Sequence, residues 1–246
     1  MKRTREAMEA MQARACAAPS IAPTPGTYAS TLRAESWTIQ SRPLWGPRCV
    51  SIASDYFPVC DAEVVETALS HTERSLAATT HEEEEVPLDT IVGKFVIALF
   101  IAAKCLRDGT VIIDFADVRF ALQSGASAAL PHDVRGLRQC EADMLRQLEW
   151  LLWPPTAVAC IRDLGERTRT PRYVQDLAER RWKAIRFSPE LFGFDVRMLA
   201  ASTLLLVAGG RDVDIASLEA LASMSGTRSS NLVALCDTMN RVTPTT

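Results

Sequence analysis

Residues 91–106, IVGKFVIALFIAAKCL, are apolar on almost every side of a helix, with Lys94 and Lys104 as the charged exceptions. A helix with no polar face must be surrounded by other elements, so this stretch is expected at the centre of a helical domain. Residues 195–208, DVRMLAASTLLLVA, have the same character and predict a second central helix. Elsewhere apolar positions recur every three or four residues and strand-like alternation is rare, which predicts an all-α fold.

Residues 1–40 are rich in Pro, Ala, Ser and Thr and are expected to form a flexible leader, with a short helix over residues 4–15. A first helix is expected over about 44–56, with Pro43, Gly46 and Pro47 crowding its start. Asp61 is expected to cap a second, which places Val64, Val65, Ala68, Leu69, Thr72 and Leu76 on one side. The acidic run 81–85 reads as a solvated connector ending at Pro87. Asp89 is expected to cap the central helix, and Arg107, Asp108 and Gly109 to end it. A fourth helix is expected over 114–124 and a fifth over 133–152, stopped by Trp153, Pro154 and Pro155. The rhythm then repeats over 156–167, 171–186, 195–208, 214–223 and 227–241. Two five-helix bundles in tandem are therefore expected, over 41–153 and 154–242, each with its apolar helix third.

In the fifth helix the core-facing positions step through Val134, Leu137, Glu141, Leu145, Leu148 and Leu152. A carboxylate on that stripe is costly unless paired or placed where the stripe emerges at an interface. Arg138, one turn earlier, is one candidate partner for Glu141, and Lys104 is the other. Lys104 itself suits a helix C-terminus, where a cation is favoured by a few tenths of a kcal/mol up to about 1.

With 246 residues, 48% of them hydrophobic, the chain can bury one large core or two moderate ones. A net charge of −3 provides no basic footprint for phosphate, so no direct nucleic-acid binding is expected. The seven cysteines are odd in number and never spaced as CxxC, which favours a reducing compartment, nucleus or cytoplasm, over disulfides or zinc. No secretory apolar core follows the basic N-terminal residues, and the longest apolar run is too short and too charged to span a bilayer. Only His71, His81 and His132 are present, without a metalloprotease, phosphate-loop or nucleophile-elbow motif. No catalytic activity, cofactor or metal is expected. Thr24 and Thr243 precede prolines and are candidate phosphorylation sites, whereas Thr170 before Pro171 reads as a helix start.

Several segments carry a family resemblance. Residues 92–105, VGKFVIALFIAAKC, resemble the third helix of the cyclin box, an apolar run closing on small residues and a lysine. Residues 140–156, CEADMLRQLEWLLWPPT, resemble the box's fifth helix and its exit. Residues 71–79, HTERSLAAT, and 42–56, RPLWGPRCVSIASDY, are similar to its second and first helices. Residues 187–209, FSPELFGFDVRMLAASTLLLVAG, resemble the family's C-terminal box. The chain thus looks like a divergent, loosely D-type-like cyclin over residues 40–242. The resemblance implies two cyclin boxes and a regulatory subunit that binds and activates a cyclin-dependent protein kinase in cell-cycle control. Carried over by position, Lys104 and Glu141 would be the kinase-binding lysine and glutamate, and Arg42 and Glu73 the ion pair that stabilises the box. The pattern departs after Lys104, where Cys105, Leu106 and Arg107 replace an aromatic residue and two acids, and Arg48 occupies a tryptophan position in the first helix. These departures keep two other expectations open: a cyclin-fold adaptor without kinase activation, and a transcription-factor-like double box.

Overall fold

The computed structural model describes residues 28–79, 86–106, 113–209 and 215–242. Among these residues are ten α-helices, one 3-10 turn and no strand, so the fold is all-α. They are α1 (Tyr28–Tyr56), α2 (Ala62–Thr79), α3 (Leu88–Leu106), α4 (Phe115–Gln123), α5 (Val134–Gln147), α6 (Ala157–Arg167), α7 (Arg172–Ile185), α8 (Val196–Val207), α9 (Ile215–Ser225) and α10 (Ser229–Arg241), with the 3-10 turn at Pro189–Leu191. The chain divides into two compact units, Met1–Pro154 and Pro155–Thr246.

In the first unit α3 is the central helix. Every residue from 95 to 103 is buried, and α3 packs most extensively on α2, with α1 and α5 also against it. Burying such a run removes apolar surface at roughly 25 cal/mol per Å² and leaves little face for solvent. Gly93 lets the loop after α4 approach: a Cβ there would lie 3.1 Å from Leu130 Cγ and 3.2 Å from Ser127 Oγ. Asp89 does not cap α3 as expected. The helix starts one residue earlier, and the Asp89 carboxylate accepts from Ala128 N at 3.0 Å while its carbonyl accepts from Ser127 Oγ at 2.9 Å, tying that loop down. Asp61 does fill its expected role, accepting from Val64 N at 3.0 Å.

Two boundaries differ from expectation. α1 begins at Tyr28, inside the segment read as leader, and continues through Pro43 and Pro47. An internal proline costs about 3 kcal/mol through its missing N–H and its ring clash. Burial of Trp45, Cys49, Ile52 and Ala53 on the same helix offsets that cost. At the other end of the unit, α5 stops at Gln147 rather than at 152, because Glu149 and Trp150 take left-handed backbone angles, φ 51° and 59°. The carbonyls this exposes are held by α2. Arg74 donates to Leu148 O at 2.8 Å and also to Leu151 O, and the His71 ring Nε2 lies 3.2 Å from Leu152 O.

In the second unit α8 is the central helix, buried from Leu199 to Leu205 and packed on α6, α7, α9 and α10. Asp195 caps it by accepting from Arg197 N at 2.8 Å. Its two buried hydroxyls find backbone acceptors: Thr203 donates to Leu199 O at 2.6 Å within the helix, and Ser202 donates to Leu232 O of α10 at 3.4 Å. The Cys236 thiol of α10 returns the contact, donating to Ser202 O at 3.2 Å. Between α6 and α7, Arg162 forks onto the buried Glu179 at 2.7 and 3.2 Å. Gly165 admits Gln175, whose Cδ would lie 2.6 Å from a Cβ.

Candidate functional site

At the C-terminal end of α3 the apolar run gives way to Lys104, which belongs to the last helical turn, where a cation suits the helix dipole. Phe100 lies one turn before it and stacks on Phe115, the first residue of α4, with ring centroids 4.6 Å apart. The Lys104 ammonium sits 4.4 Å from the centroid of Phe100 and 2.7 Å from Glu141 Oε1 on α5. The aromatic ring and the carboxylate therefore fix one lysine from two sides, linking α3, α4 and α5. The lysine side chain is 41% exposed and that of Glu141 16%, so the pair opens to solvent on the lysine side.

Of its two candidate partners Glu141 takes Lys104. Arg138 instead faces the Phe115 ring at 5.9 Å. Glu141 also stands at the margin of the buried stripe of α5, which runs through Leu137 and Met144 to Leu148 just past its end, while Val134 and Leu145, and Leu152 beyond the helix, are only half-buried. Beside the pair, burial raises the pKa of the Cys105 thiol, Lys104 lowers it and Glu141 raises it, with burial the largest. Cys105 is therefore a neutral thiol rather than a reactive thiolate at neutral pH.

The second expected pair is also assembled. Arg42 Nε of α1 lies 2.8 Å from Glu73 Oε1 of α2, with side chains 17% and 27% exposed. Burial raises the pKa of Glu73, Arg42 draws it down, and the nearby Glu66 raises it again. The sum is a raised value, so Arg42 compensates only part of what burial costs the carboxylate.

A third cluster has no motif in the sequence to announce it. Lys94 of α3 donates to Ser75 Oγ of α2 at 2.9 Å and approaches Gln147 Oε1 of α5 at 3.4 Å. Ser75 in turn donates to Gln147 Oε1. Burial lowers the Lys94 pKa, opposed by Cys140. The one signal available was that Lys94 is the other charge in the apolar run 91–106, but its neutral partners lie on two distant segments. Phe100 and Phe115 escape a sequence reading for the same reason: both read as core.

Thr24 and Thr243 lie outside the described residues. Among the described residues no group of three His, Cys, Asp or Glu side chains has metal-binding geometry, and no helix is long and apolar enough to cross a membrane. No protein-family model and no curated protein sequence matches the chain. The arrangement places a charge pair, open to solvent on the lysine side, where α3, α4 and α5 meet.

Proposed function

We propose that the chain is a cyclin-like regulatory subunit that binds and activates a cyclin-dependent protein kinase, without catalysis or cofactor of its own, in the nucleus or cytoplasm. The observation that carries this reading is the Lys104–Glu141 pair, 2.7 Å apart where α3 and α5 meet, at the positions the cyclin resemblance assigns to kinase contact. The Arg42–Glu73 pair, at the positions the same resemblance assigns to the box's internal ion pair, supports it. Physically, a rigid helical face that binds one state of a kinase better than another shifts the kinase toward that state by the difference in affinity. The rigidity comes from α3, which has no solvent-facing side along most of its length. The membrane and nucleic acid have no part in this reading.

Affinity purification of the chain, identification of the co-purifying kinase, and assay of that kinase with Lys104→Ala and Glu141→Ala variants test the proposal. Loss of activation at unchanged fold supports it; a chain that captures no kinase removes it. The second reading, an adaptor that binds protein without activating a kinase, is favoured by the engagement of Lys104 with Phe100 and Glu141 of its own chain. A kinase that binds the chain but gains no activity selects it.

A further inference from the structure

The second unit carries a feature that the kinase reading does not use. Helix α7 buries Val174, Ala178, Trp182 and Ile185 against its own unit. At 100° per residue the opposite face is centred on Tyr173, Leu177 and Arg180. Tyr173 is 68% exposed and Leu177 46%, an aromatic and an aliphatic residue one turn apart on one stripe. A solvent-facing aromatic–aliphatic pair on a well-packed helix is the kind of surface that anchors a partner.

The electrostatics around that stripe select the partner. Residues 167–186 contain seven basic residues and two acids, against a net charge of −3 for the whole chain. Glu179 is buried under Arg162, Asp176 on the outer face is paired with Arg172 at 3.2 Å, Arg167 is paired with Asp163 and Arg186 is buried, so the excess positive charge of this face rests on Arg180 and Lys183. Arg180 and Lys183 are exposed and, among the described residues, have no carboxylate within salt-bridge distance. Arg181 is turned aside to the end of α10, donating to Met239 O at 2.7 Å. Positive charge therefore lies beside an apolar pair roughly 6 Å apart along the helix, about one turn.

We propose that the outer face of α7 is a docking surface for a partner segment that is both acidic and apolar, its large side chains seated on Tyr173 and Leu177 and its carboxylates facing Arg180 and Lys183. The proposal is independent of the kinase binding proposed for the first unit. An apolar centre flanked by cations distinguishes this surface from a phosphate-tracking one, where the cations themselves would form the stripe.

Fluorescence anisotropy of the full chain tests it, with a labelled peptide of about three helical turns carrying glutamates beside leucine and phenylalanine at i, i+4 spacing. Saturable binding is expected, weakened about tenfold by Tyr173→Ala with Leu177→Ala. Arg180→Glu with Lys183→Glu is expected to abolish it, and a peptide with lysines replacing the glutamates to bind that charge-reversed variant. All four positions are exposed, so unchanged thermal melting should accompany each variant. Absence of saturable binding overturns the proposal, as does equal affinity for an acidic peptide with alanines at the apolar positions. Tighter binding of a single-stranded oligodeoxynucleotide, or of phosphatidylserine vesicles, at the same residues also overturns it, by assigning the face to nucleic acid or membrane.

Discussion

Lys104 and Glu141 stand 37 positions apart in sequence and 2.7 Å apart in the fold, and the lysine is held from its other side by the Phe100 ring at 4.4 Å. An exposed lysine loses rotamer entropy when it forms a single surface pair, which is why such pairs contribute little. Here the ring already restricts the side chain, so the charge is presented at one place.

That geometry gives the pair little weight in stability. Lys104→Ala is expected to cost less than about 1 kcal/mol in a denaturant titration, because the side chain is 41% exposed. Phe100→Leu leaves the charge in place but removes the ring that positions it. A cost of several kcal/mol for Lys104→Ala would show that the pair holds the unit together, and would weigh against the proposed role in recognition.

The Arg42–Glu73 pair should behave in the opposite way. Arg42→Met leaves the half-buried Glu73 beside Glu66 without its counter-charge, which is expected to destabilise by about 2 kcal/mol at pH 7. Because burial already raises the Glu73 pKa, the folded state of the variant binds a proton more readily than the unfolded state does. The deficit should therefore shrink as pH is lowered through the folded-state value, and Glu73→Gln in the same background should recover part of it. Urea midpoints at pH 7 and pH 5 measure both effects.

His71 gives the first unit an acid-sensitive element. Burial and the neighbouring Arg74 bring its pKa down from 6.5 to about 4, against the pull of the Leu152 and Ala98 carbonyls. The unfolded chain then takes up the proton first, so the stability contributed by the neutral ring is complete above pH 6.5 and is lost as pH falls toward 4. The loss amounts to about 3 kcal/mol at most. His71→Gln should flatten the pH dependence of the unfolding midpoint between those values, whatever it does to the midpoint itself. An equally steep dependence in the variant would place the acid sensitivity elsewhere.

In the second unit, Gly165→Ala drives a methyl group to 2.6 Å from Gln175 Cδ. Gln175 has little room to yield, since it is buried and donates to Thr170 O at 2.9 Å. Overpacking of this kind costs about 1–3 kcal/mol. Gln175→Ala removes the clash, so the double variant should be more stable than the sum of the single effects implies, a coupling that thermal melts of the four proteins would reveal.

Much of the helical order was legible because periodicity is local. The all-apolar runs announced α3 and α8, and Asp61, Asp133, Thr156 and Asp195 accept from backbone N–H groups at the helix starts they mark. Asp89 misled because its short polar side chain suits an N-cap and a loop anchor equally, and which it becomes depends on whether Ala128 is close enough to donate. Pro43 and Pro47 misled in the same manner: their local cost argues for a boundary, and only the burial of Trp45 and Cys49 between and beyond them shows why the helix continues.

The sequence by itself determined the helical class and the two central helices, because spacing and composition are properties of short segments. Tertiary structure alone decided which carboxylate met which cation, that Arg138 turned to Phe115 and left Glu141 to Lys104, and that Arg74 and His71 held the exit of α5. Those choices depend on distances between residues far apart in the chain. They are settled by how helices of fixed periodicity rotate against one another to bury their apolar faces.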